Sequence, residues 1–128
     1  MNIETILMIE DNEVMQQLMT YVLVGEGYKV IPVSDSQEAL RVFLDRAEEI
    51  SLVLSNRRTG VFDTRNLVLN MSAIKPSVRI ITVSGYLDPA FKQEMESIGV
   101  TDFVAKSFKA DEIIQKVDEV IHNDLTGY

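Results

Sequence analysis

The chain has 128 residues, a net charge of −8 at neutral pH, 46% hydrophobic and 25% charged residues, and no cysteine. That length fits one domain with one sizeable core. The missing cysteines exclude disulfides and thiolate metal sites and suit a reducing, cytoplasmic setting, and the acidic balance disfavours direct nucleic-acid binding.

The opening "MNIETILMIED" carries acids where a targeting peptide needs bases. No apolar run approaches the roughly 20 residues of a spanning helix, so membrane insertion is not expected. Residues 5–10 read as a short apolar strand ending in acid. Val14, Met15, Leu18, Met19, Val22 and Leu23 recur at helical spacing and predict an amphipathic helix. "GEGY" ends that helix. Residues 29–33 form a second strand, and Pro32 predicts a place at the sheet edge. A second helix follows, with N-caps on offer from Ser34 to Ser36 and a stripe of Ala39, Leu40, Phe43 and Leu44.

"SLVLS" (51–55) is apolar on both faces, as a central parallel strand is. A loop at 56–63 and a helix over 65–74 come next. Residues 78–84 form a fourth strand. Pro89 opens a fourth helix capped by Asp88, and Gly99 stops it. Residues 102–105 form the fifth strand. The last helix lines up Ile113, Ile114, Val117, Val120 and Ile121. Five strand–helix repeats with crossovers of this length predict a parallel sheet with helices on both faces, an α/β doubly wound domain. Residues 1–122 form the domain, and 123–128 are a tail or the start of a linker.

In such sheets ligands bind beyond the carboxyl ends of the strands. Those ends carry Glu10 and Asp11, then Asn56, then Ser84, then Lys106. Four segments, "ILMIEDNE", "SLVLSNRRTGVFD", "IITVSGY" and "DFVAKSF", resemble in order the motifs of the response-regulator receiver domain of two-component signalling. The resemblance covers nearly the whole chain and implies a five-stranded flavodoxin-like sheet of order 2-1-3-4-5. It also implies that the domain is not an enzyme. The family's chemistry maps onto Glu10 and Asp11 as the acidic pocket that helps hold Mg²⁺, Asn56 as the phosphoacceptor position, Ser84 and Lys106 as phosphate-sensing positions, and Phe103 as the aromatic switch. The implied partners are a sensor histidine kinase and a protein docking on the face of the fourth helix, fifth strand and fifth helix near Tyr86 and Phe103.

The departures matter as much. Asn56 stands where the family has its nucleophilic aspartate, and a carboxamide forms no stable acyl phosphate. Gly60 and Ser107 stand where the family has proline. With Thr59, these changes speak for divergence rather than a single exchange at residue 56. Glu10, Asp11 and Lys106 sum to −1 where the family has −2, and Arg58 as a substitute cation brings the pocket to zero. Two charges about 5 Å apart interact by about 3 kcal/mol at an effective dielectric of 20. No cofactor is therefore expected, with Mg²⁺ at Glu10 and Asp11 weak or absent. The expected function is a divergent pseudo-receiver acting by protein–protein interaction. One alternative is a Mg²⁺-dependent phospho-receiver that uses Ser55, Asp63, Ser84 or a deamidated Asn56. The other is a small-ligand sensor in the same crevice, although no glycine-rich phosphate loop supports nucleotide binding. Arg57 reads as a solvated loop charge, His122 as a surface residue and the methionines as core filler.

Overall fold

The computed structural model describes residues 3–56, 64–84, 89–105 and 108–122, with the side chains of Asn56 and Ser84 outside that description. The elements alternate: β1 (Thr5–Ile9), α1 (Glu13–Gly25), β2 (Lys29–Val33), α2 (Ser36–Arg46), β3 (Ile50–Asn56), α3 (Thr64–Ile74), β4 (Ile80–Ser84), α4 (Pro89–Ser97), β5 (Asp102–Ala105) and α5 (Ala110–Ile121). The strands pair in parallel in the order β2-β1-β3-β4-β5, the flavodoxin-like arrangement that the strand–helix alternation and the family motifs imply. Pro32 lies on β2, an edge strand, where its missing N–H costs no ladder bond.

Alternation along each strand divides the core in two. Ile6, Met8, Leu52, Leu54 and Ile81 face α1 and α5. Leu7, Ile9, Val53 and Ile80 face Phe43 of α2, Met71 of α3 and Met95 of α4. Strand ends differ from the sequence reading where local hydrogen bonds intervene. β4 begins at Ile80 rather than at 78, because the Val78 N–H closes a turn on the Lys75 carbonyl at 2.9 Å. α1 and α4 run out into Gly27 and Gly99, whose φ angles of 96° and 98° favour glycine.

The predicted stripe of α1 needs correction. Met19 and Leu23 are buried, with Met15 and Val22 packed partly against them. Val14 and Leu18, expected in the core, are exposed, Val14 at 76%. At 100° per residue, positions 15, 19, 22 and 23 share one side, whereas 14, 18 and 21 form a stripe of their own on the other. Leu44 of α2 is likewise exposed, and Ala39 and Phe43 carry that helix's packing.

The helix ends are held by polar bonds. Asn12 caps α1 by accepting from the Met15 N–H at 2.9 Å, and Asp35 caps α2 by accepting from the Glu38 N–H at 2.8 Å. At the opposite end of the sheet, Lys75 Nζ donates to the carbonyls of Ala47 and Ile50 beyond α2. Arg79 Nη1 donates to the carbonyls of Val120 and Ile121 at the end of α5, at 2.7 and 2.9 Å. The Tyr28 hydroxyl donates to Asp118 on α5.

Candidate functional site

β1 ends at Ile9, level with Val33 of β2 and Ser55 of β3. Glu10 is the next residue. Its N–H still bonds the Val33 carbonyl at 3.0 Å, so the chain leaves the sheet with its last ladder bond made. The Glu10 side chain is only 3% exposed, and its Oε2 accepts from the Asn12 N–H at 3.0 Å. Asp11 is exposed. A buried acid and an exposed acid thus stand side by side on the rim. Gln16, on the first turns of α1, reaches back with Nε2 to the carbonyls of Glu10 at 3.0 Å and Val33 at 3.1 Å. It pins the acidic corner to both strands. Sequence patterning gives no signal for this role, since Gln16 lies between the two apolar stripes of α1.

Asn56 is the last residue of β3, in register with Val83, and Ser84 is the last of β4, in register with Ala105. The backbone therefore brings positions 10, 56 and 84 to one edge of the sheet. Lys106 follows Ala105 directly in the chain but lies outside the described residues, as do Arg57, Arg58, Thr59, Gly60, Asp63, Tyr86, Asp88, Ser107 and the tail at 123–128. Phe103 of β5 is half-buried against the core on the α2, α3 and α4 face, with Lys92 Nζ of α4 at 5.7 Å from its ring centre. His122 is exposed at the end of α5, and Met8, Met19, Met71 and Met95 are core residues.

Ser55 stands apart from the rim. Its neighbour across the strands is Thr82, and both side chains are 1% exposed. Neither Ser55 Oγ nor Thr82 Oγ1 has a hydrogen-bond partner among the described residues, and an unmet hydroxyl costs about 1–3 kcal/mol. Among the described residues, no three His, Cys, Asp or Glu side chains cluster as a metal site. A carboxamide at the end of β3 offers a neutral oxygen and an NH₂ where a carboxylate would offer two anionic oxygens.

The model of the response regulator receiver domain family matches residues 6–118, from β1 well into α5. The chain belongs to that family. This receiver domain is 32% identical over 113 residues to the regulatory protein VirG of Agrobacterium fabrum, covering 88% of the chain and 44% of that protein. It is 26% identical over 118 residues to the sporulation initiation phosphotransferase F of Bacillus subtilis, covering 92% of the chain and 94% of that protein. A response regulator receiver domain protein from Clostridium thermocellum superposes with a TM-score of 0.89 at 20% identity, covering 98% of this chain and all of that one. The receiver spans less than half the length of the first curated relatives it matches, from 12% to 46%. No helix among its described residues is long and apolar enough to cross a membrane.

Proposed function

We propose that this receiver domain does not take up phosphoryl at residue 56 and signals by binding other proteins. The observation that carries the reading is an asparagine as residue 56, the last of the central strand and at the same sheet edge as a buried Glu10, in a domain of a family built around a carboxylate there. An amide nitrogen cannot carry the anionic lone pair that attacks phosphorus. The alternative acceptor Ser55 is a poor substitute, because its hydroxyl is closed off on the helix-covered face of the sheet. The donor set fits Mg²⁺ only as a weak site. Glu10 and Asp11 would hold the ion, yet Glu10 Oε2 already accepts a backbone hydrogen bond and the third carboxylate is missing. The ion would supply charge neutralisation. Ser84 and Lys106 keep the family's phosphate-sensing residue types, and Phe103 keeps the aromatic switch position. A sensor histidine kinase is among the partners this reading implies, with docking on the face of α4, β5 and α5 near Phe103.

One observation favours a second face. Four of the exposed large apolar residues lie on α1: Val14, Leu18, Tyr21 and Val24, with Tyr21 79% exposed. Replacing Leu18 and Tyr21 by serine leaves the core untouched, so loss of kinase binding with an unchanged melting temperature would assign docking to α1. Loss on substituting exposed positions of α4 instead would assign it to the other face.

The function is tested with amide NMR spectra recorded with Mg²⁺ and beryllium fluoride, a mimic of a carboxylate-bound phosphoryl group. The native protein is expected to show no change along β4, α4 and β5, and Asn56→Asp to show a partial one. A native response as large as that of Asn56→Asp would refute the proposal.

A further inference from the structure

One level below the rim, a row of side chains runs across the whole sheet in register: Val33, Ile9, Ser55, Thr82 and Phe103. The outer three are apolar and pack against the face covered by α2, α3 and α4. The central two carry hydroxyls that lie side by side on neighbouring strands, sealed from solvent and without hydrogen-bond partners among the described residues. Buried hydroxyls left unpaired are rare in folded proteins, because they give up water and gain nothing in return. Two of them across one inter-strand gap, about 4.8 Å wide, have the spacing that a single bridging molecule satisfies. Serine and threonine are also short for a central parallel strand, where valine, isoleucine and leucine usually fill the space. Leu67, Phe91 and Met95, from the helices that cover that face, are apolar.

We propose that Ser55 and Thr82 form a buried binding site for one water molecule, which ties β3 to β4 one residue before Asn56 and two residues before Ser84. A small molecule with two hydrogens and two lone pairs meets both hydroxyls, whichever way each rotates. The bridge adds a side-chain tie to the backbone ladder of β3 and β4 near the carboxyl ends of both strands. The site stands independently of whether residue 56 is ever phosphorylated.

High-resolution crystal structures of the native protein and of Thr82→Val, Thr82→Ser, Ser55→Ala and Ser55→Ala/Thr82→Val test this, together with their melting temperatures. The native structure is expected to show a water about 2.6–3.0 Å from Ser55 Oγ and Thr82 Oγ1. The isosteric Thr82→Val is expected to lose that water and to melt lower. Thr82→Ser is expected to keep the water. The double variant Ser55→Ala/Thr82→Val is expected to lose less than the sum of its single variants, because the two hydroxyls share one partner. Native density with no water between the hydroxyls, or a Thr82→Val protein melting as high as the parent, would overturn the proposal.

Discussion

On the proposed reading of residue 56, one NH₂ group takes the place of one oxygen, and the consequences are electrostatic as well as nucleophilic. Glu10 is buried and Asp11 lies next to it, exposed, and on that reading the two acids stand without a third carboxylate at residue 56. We propose that Arg58, which lies outside the described residues, supplies the compensating cation. A guanidinium binds carboxylates in a planar, two-point manner. Arg58→Ala is then expected to melt lower than the parent, with added Mg²⁺ recovering the loss in the variant and changing the parent little. Equal melting in both conditions would leave Arg58 as a solvated charge, where such a pair is worth about 0–1 kcal/mol. Tyr28 gives a cleaner pH effect. Burial first, and then the hydrogen bond to the Asp118 carboxylate, push its hydroxyl well above the ordinary value of 10.0. The folded state therefore holds a proton that the unfolded chain releases, and this contribution, fully present below about pH 10, declines as pH rises further. Denaturant unfolding between neutral pH and pH 11 should show a fall in stability above pH 10 that is smaller in Tyr28→Phe. An identical alkaline fall in both proteins would show that Tyr28 does not cause it.

At the level of elements, the helices show which sequence signals carry and which do not. The stripe of α5 was legible because its apolar residues occupy one face and nothing competes with them. That of α1 was not, because the helix is apolar on two sides and periodicity alone does not say which side meets the sheet. The polar ties were beyond reach for a different reason. Tyr28 and Asp118 are 90 residues apart, and Arg79 meets the end of α5 from the far side of a chain crossover. Arg79 is a charged donor that meets the last carbonyls of a helix, where the dipole is negative. Arg79→Ala is expected to lower stability by about 1.5–3 kcal/mol, measured by urea unfolding. Lys116→Ala, which removes a partly exposed pair with Asp102 at 3.4 Å, is expected to change it by less than about 1 kcal/mol. Equal effects would mean that the helix end is held by packing alone.

Across the whole molecule, the sheet order and the five strand–helix units followed from alternation, crossover length and the family motifs, and the rim followed from reading the residue at each strand end. The backbone positions of Glu10, Asn56 and Ser84 were legible for that reason, whereas the hold of Gln16 on the acidic corner and the polar row beneath it require strand register to be known. The molecule is a receiver domain, and the reading proposed for it is a scaffold that keeps acids, hydroxyl and lysine in sequence and has lost its nucleophile. Intact-mass analysis after incubation with Mg²⁺ and a small phosphodonor tests this most directly, with Asn56→Asp as the positive control. The native chain is expected to gain no phosphoryl group, while Asn56→Asp gains one. A stoichiometric, base-labile adduct at residue 56 of the native chain, with the asparagine still intact, would contradict the loss of aspartyl phosphorylation.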